Sequence, residues 1–350
     1  MNKKEFDIIK KGVSDWNIYR DTTILVTGAT GRLGRYIVET LVDVDLSYNL
    51  NLRVVCLARN SQKAKLVFDG LTEFPNVIFL YQDINTTIEY NGNVDFIFHT
   101  AGPAAPIDFK VSSVDTLWAH VNGTHNVLEF AISHKTRKVF YVSTVETYGT
   151  WTENRNIREE DMGFLQNLNA RACYPEAKRL CETMFFCYKT KYDLDFCGVK
   201  LCHTLGPGIL LDDGRAFAEF IDCALKGKDI ILHSDGSAMR TYTYTADAIN
   251  AFFIIMEKGK SGCLYNVAAN ENLISIRDLA KLIASYSPNK GVKVVISDKA
   301  NDMPYLPFKL AIMDTTKVRE LGWKPQTDLV HLFQSVSYTH LRAHETKANL

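Results

Sequence analysis

Tyr174 and Lys178 stand four residues apart in RACYPEAKRLCETMFF, and on a helix that spacing puts a phenol and an ammonium on one face. An ammonium beside a phenol lowers its pKa, so the phenolate can take a proton from a hydroxyl while the ammonium anchors a ribose. Such a pair is common by chance, and position gives this one its weight. It follows the apolar run KVFYVSTVETYG, whose Thr144 and Glu146 are expected to face the same cleft at the carboxyl edge of a sheet. A second cluster lies near the start of the chain. Gly28, Gly31 and Gly34 sit in TGATGRLG, directly after an apolar strand and at the start of a helical pattern with Leu33, Ile37 and Leu41. Residues without side chains let a pyrophosphate approach the amides and the positive end of such a helix. Thr30, Arg32 and Leu33 complete that turn as dinucleotide-binding candidates.

The elements that must hold these groups follow from the apolar pattern. ILVTGATGRLGRYIVETLV, LRVVCLARN, NVIFLYQD, VDFIFHTAG, KVFYVST and FCGVKLCHT are short Val/Ile/Phe-rich runs without polar alternation, separated by helical stretches. They predict strands covered on both faces and joined by crossover helices, an α/β doubly wound parallel sheet of the Rossmann type. We expect an N-terminal extension over 1–20 and a dinucleotide-binding domain over 21–205 plus about 241–262. A smaller, interleaved α/β substrate lobe is expected over 206–240 plus 263–335, with a helical region from Ser275 to Ser287. At the end of the second strand the chain reads Leu57, Ala58, Arg59, Asn60. A cation there favours a 2′-phosphate, so NAD and NADP both remain open. Asp83 and Ile84 after the third strand, and Ala101 and Gly102 after the fourth, are further cofactor-binding candidates.

Bulk properties narrow the function classes. The 350 residues are 46% hydrophobic, and 40 Lys plus Arg balance 40 Asp plus Glu, without a long block of either sign. This argues against a nucleic-acid groove or a membrane surface, and no apolar run approaches spanning length. The segment Phe6 to Ile9 is too short for a signal-peptide core, so a cytoplasmic location is expected. Eight cysteines without a CxxC pair read as reduced thiols, and no metal site is expected. Val336 to Thr346, VSYTHLRAHET, reads as one frame of a transposase-type sequencing adapter. Residues 336–350 are therefore expected to be a non-native tail.

TGATGRLG, HVNGTHNVLE with Asn122, STVETYG, YPEAK, LGPG, DDGR, SDGSAMRTYTYTAD and LGWKP follow one another from Gly28 to Pro325. In this order they resemble the extended short-chain dehydrogenase/reductases, the NAD-dependent epimerase/dehydratase family. HTAGPAAPIDF and RACYPEAKR are most similar to segments of its UDP-glucuronate decarboxylase (UDP-xylose synthase) group. The resemblance implies an enzyme working on a nucleotide-diphosphate sugar through a 4-keto intermediate, with an internally recycled dinucleotide. Tyr174 is then the base, Lys178 its partner, Thr144 a donor to the hydroxyl at carbon 4, and Glu146 the carboxylate acting beside carbon 5. Arg215 and Arg240 hold the nucleotide-sugar, Arg240 on the diphosphate. Arg171 either contacts the substrate or caps its helix. Two departures stand out. His203 replaces an asparagine in CHTLGP, and LPFKLAIMD lacks the decarboxylases' arginine, with Lys309 standing nearby.

The reactions part after the shared first step. Decarboxylation ranks first and 4-epimerisation second. A 4,6-dehydratase ranks third, because Val145 stands where that reaction places an acid beside Glu146. A catalytically silent dinucleotide sensor on the same fold is the non-enzyme alternative. Trp118, Phe109 and the helix Val121 to Phe130 suggest an amphipathic face for a homodimer.

Overall fold

Every residue of Thr23–Thr27 is buried, as the unbroken apolar run requires of a strand covered on both faces. The computed structural model describes residues 1–71, 74–212, 214–289, 291–297 and 312–336. The first half contains α1 (Lys3–Lys10), β1 (Thr23–Thr27), α2 (Arg32–Tyr48), β2 (Arg53–Ala58), α3 (Ser61–Val67), β3 (Val77–Tyr81) and β4 (Phe96–His99). Then come α4 (Pro106–Val111), α5 (Ser113–Ser133), β5 (Lys138–Thr144), α6 (Cys173–Tyr192), β6 (Phe196–Leu201) and β7 (His203–Leu205). The chain continues with α7 (Ala216–Leu225), β8 (Ile230–Leu232), β9 (Met239–Tyr244), α8 (Thr245–Lys258) and β10 (Cys263–Val267). Next come β11 (Leu273–Ser275), α9 (Ile276–Ser285), β12 (Val294–Ile296) and α10 (Thr316–Glu320), and residues 329–336 are helical at the end of the described chain.

Seven strands form one sheet in the order β10-β6-β5-β4-β1-β2-β3, and each pairing is parallel. This is the doubly wound α/β sheet expected from the sequence. Strand order reverses between β1 and β4, which opens a crevice beyond their carboxyl ends. That edge carries the glycine turn after β1, Thr144 at the end of β5 and the loop after β4. Two smaller sheets, β11-β9-β7 and β12-β8, come from the later part of the chain.

Three details depart from the sequence reading. Cys263–Val267, drawn into the smaller lobe, pairs with β6 as the seventh strand of the large sheet, so the boundary near 262 moves beyond Val267. The run FCGVKLCHT is two strands: β6 ends at Leu201, and after Cys202 the chain crosses into the three-stranded sheet as β7. Residues 1–20 form part of the core, since Ile9, Trp16 and Tyr19 are buried in the main apolar cluster. Within it, the Glu5 carboxylate accepts hydrogen bonds from the hydroxyls of Tyr36 and Tyr244. Tyr244 and Asp247 hold the later chain in place, Asp247 by accepting from the backbone of Gln326 and Thr327 at 2.9 and 3.0 Å. Lys309 and residues 337–350 lie outside the described residues, whereas Val336 is buried. All eight cysteines are free thiols. Among the described residues no helix is long and apolar enough to cross a membrane.

Candidate active site

The glycine turn has the form a dinucleotide needs. Gly28 has φ +67°, and a Cβ there would lie 2.8 Å from the Cα of Ala101. A Cβ on Gly34 would lie 2.3 Å from the Gly28 carbonyl oxygen. Only glycine permits that closeness between β1, α2 and the loop after β4. Helix α2 has Gly31 as its N-cap and no side-chain cap, so its first amides and positive end face the crevice. The residues therefore fit a bound pyrophosphate. Thr30 and Leu33 are half-buried in the turn, and Arg32 donates through Nη2 to the Thr204 carbonyl at 2.8 Å. Ala101 is buried, and its amide donates to the Thr27 hydroxyl oxygen at 3.3 Å. Gly102 packs against the His120 ring.

Beyond β2 and β3, Arg59 lies 3.8 Å from the Asp83 carboxylate. A guanidinium shared with a carboxylate is a weakened 2′-phosphate site, which agrees with NAD as the dinucleotide. Ile84 is buried, and its carbonyl accepts from Asn126.

Tyr174 is buried on α6, its ring stacked on Phe109 with centroids 4.6 Å apart and planes 17° apart. Thr144, at the end of β5, lies near enough to act on this phenol, and its hydroxyl oxygen accepts the Glu146 amide at 3.3 Å. Burial pushes the phenol up to about 12 and Glu146 adds to the rise, while Thr144, Arg215 and Arg171 oppose it. The expected lowering by Lys178 is not seen. Burial holds Lys178 down at about 8. Its ammonium donates to the Val142 carbonyl at 2.8 Å, over the Tyr141 ring. The i, i+4 spacing shares a helix face, yet the lysine side chain ends at the backbone of β5.

Glu146 accepts from Arg171 Nη2 at both oxygens, 3.0 and 2.8 Å. Burial still raises the Glu146 pKa above its ordinary value against the pull of Arg171 and Arg215. Arg171 also lies over the Phe109 ring at 4.8 Å. The structure thus brings Tyr174, Thr144, Glu146 and Arg171 together. Arg171 meets the Glu146 carboxylate, while the cap of its turn is supplied by the Asn169 side chain.

His203, Arg240 and Val145 line a small cavity of about 20 Å³ with Met239 and Met313. Burial first, then Arg240 and Arg215, push His203 down to about 3, so its imidazole is neutral near pH 7. Burial also lowers Arg240. Arg215 reaches back to the Ala104 carbonyl at 2.6 Å, tying the later lobe to the loop after β4.

Several supporting residues went unrecognised in the sequence. Phe109, read with Trp118 as a surface face, is 3% exposed and underlies Tyr174, whereas Trp118 is 49% exposed. His120 lies under Tyr174 with ring centroids 5.3 Å apart and holds the Pro103 carbonyl at 2.9 Å. Behind Thr144, Ser143 donates to Glu182 at 2.5 Å, and Glu182 pairs with Lys200 at 3.1 Å. The Lys200 ammonium lies over the Tyr148 ring at 4.3 Å. A Lys in an all-buried strand and a Glu eight residues after Tyr174 were the available signals.

A doubly wound sheet with a glycine turn and a Tyr–Lys helix at its carboxyl edge defines a dinucleotide-dependent enzyme. The model for the NAD dependent epimerase/dehydratase family matches residues 24–268. The chain belongs to that family and is an NAD-dependent enzyme. It is 27% identical over 308 residues to UDP-glucuronic acid decarboxylase 6 of Arabidopsis thaliana, covering 87% of this chain and 85% of that one. It is 26% identical over 324 residues to an Arabidopsis trifunctional protein with UDP-glucose 4,6-dehydratase activity, covering 90% of this chain and 46% of that one. Among solved structures it resembles UDP-glucuronic acid 4-epimerase from Bacillus cereus, with a TM-score of 0.76 at 19% identity, covering 92% and 99% of the two chains.

Proposed function

We propose that the protein is a UDP-glucuronate decarboxylase that acts through a 4-keto sugar. The observation that carries this reading is the Glu146–Arg171 pair at the sheet edge where Tyr174 and Thr144 are buried, in a chain aligned with such decarboxylases over most of its length. NAD, when bound, supplies the hydride acceptor and donor at carbon 4 and a positive ring that favours the Tyr174 phenolate. Tyr174 takes the proton of the carbon 4 hydroxyl, oriented by Thr144. The bond between carbons 5 and 6 then breaks, its electron pair enters the carbon 4 carbonyl as an enolate, and CO2 leaves. A proton from solvent added at carbon 5 restores the ketone. Tyr174 would then return its proton to the carbon 4 oxygen, which completes the pentose when a bound dinucleotide supplies the reduction.

Arg215, Arg240 and neutral His203 hold the diphosphate. Thr30, Arg32, Leu33, Asp83, Ile84, Ala101, Gly102 and Lys178 border the dinucleotide. The same reading places the protein in the cytoplasm as a homodimer, with exposed Val114, Trp118, Leu180 and Phe186 on α5 and α6 available for the contact.

Purified protein with NAD, given UDP-glucuronate, UDP-glucose and dTDP-glucose in turn, should release CO2 from the first and form a UDP-pentose. A product of unchanged mass would replace the reading with 4-epimerisation, and loss of water with dehydration. Bound NAD without turnover of any of the three would favour a sensor.

A further inference from the structure

The Arg171 guanidinium is only half used. Nη2 donates to both oxygens of Glu146, whereas Nη1 is buried and has no hydrogen-bond partner among the described residues. A buried charged donor without an acceptor is unfavourable, which is why such groups are met by a partner or ligand. The Arg171 guanidinium lies over Phe109, which also stacks on the Tyr174 ring. The open donor is therefore coupled to the reacting end of the crevice, while Arg240 and His203 line a different cavity.

We propose that Arg171 is the specificity-determining residue for a carboxylate on the sugar, shared between Glu146 and the incoming anion. A guanidinium offers parallel N–H donors that match a carboxylate, and a neutral hydroxymethyl group cannot satisfy them with charge. This assigns to the turn before α6 the grip that LPFKLAIMD lacks. The assignment rests on the nucleotide-sugar reading and narrows its substrates to uronic acids. Glu146 acts as a placeholder acceptor, keeping Arg171 oriented and setting a competitor that weaker anions do not displace.

The test is calorimetric titration of the NAD-loaded protein with UDP-glucuronate, UDP-glucose and UDP. The wild type should bind UDP-glucuronate more tightly than UDP-glucose. Arg171→Gln should weaken UDP-glucuronate roughly 10- to 100-fold, as for loss of a charge-assisted hydrogen bond, and move UDP by less than about twofold. Arg171→Lys should fall between them, having a charge without the fork. Glu146→Gln removes the competing charge and should tighten UDP-glucuronate while leaving UDP-glucose nearly unchanged. The proposal is overturned if the wild type shows no preference for the uronate, or if Arg171→Gln shifts all three ligands equally. Tight uronate binding without CO2 release would sink the decarboxylase reading alone, and CO2 release with an unaltered preference in Arg171→Gln would sink the Arg171 assignment alone.

Discussion

Tyr174→Phe should reduce turnover of the nucleotide-sugar by roughly 10²- to 10⁴-fold, the range set by losing a positioned proton acceptor. The phenyl ring still stacks on Phe109, so stability should fall by no more than about 1 kcal/mol for the lost hydroxyl. NAD affinity should be nearly unchanged, because the glycine turn lies on another element. Side-by-side turnover, unfolding and NAD titration check these three expectations. Retained turnover would mean that the proton leaves by another route.

The second large effect is structural and lies behind the site. Lys200→Met leaves the largely buried Glu182 carboxylate with Ser143 as its side-chain donor among the described residues, in place of an ion pair whose side chains are 4% and 12% exposed. Removing one partner of a buried pair costs about 3–5 kcal/mol, and the urea midpoint should drop accordingly. The double change Lys200→Met with Glu182→Leu should recover most of that loss, since a buried pair replaced by apolar groups is often neutral. Because Ser143 and Thr147 flank the turn bearing Thr144 and Glu146, the single variant should also lower kcat more than it raises KM. A midpoint within measurement error of the wild type would show that the pair contributes little.

These two positions also show what a sequence reveals. Tyr174, Thr144 and Glu146 were legible because their neighbours form long apolar runs whose order places them at one sheet edge. β1, β2 and β4 to β6 announced themselves by continuous burial, with no need for contacts to be known. β10 escaped notice because Cys263–Val267 is interrupted by the polar Asn266 and is separated by four residues from the end of α8 at Lys258, so it shows no unbroken apolar run. The three-residue strands β7, β8, β11 and β12 are held by their partners and carry no pattern of their own. Phe109 and His120 were hidden for a different reason. Each meets Tyr174 across more than fifty residues of chain, and an aromatic or a His on a helix face has the same spacing whether it packs a core or floors a site. The direction of the Lys178 side chain was likewise beyond sequence spacing, because i, i+4 fixes a face and leaves the rotamer free.

The most direct measurement uses competition between UDP-glucuronate carrying hydrogen and deuterium at carbon 4, mixed with NAD-loaded protein and followed to partial conversion. The protiated sugar should be consumed faster, and the UDP-pentose from the labelled sugar should keep its deuterium at carbon 4. Equal consumption of the two, or no consumption of either, would contradict oxidation at carbon 4 as the step on which Tyr174 acts.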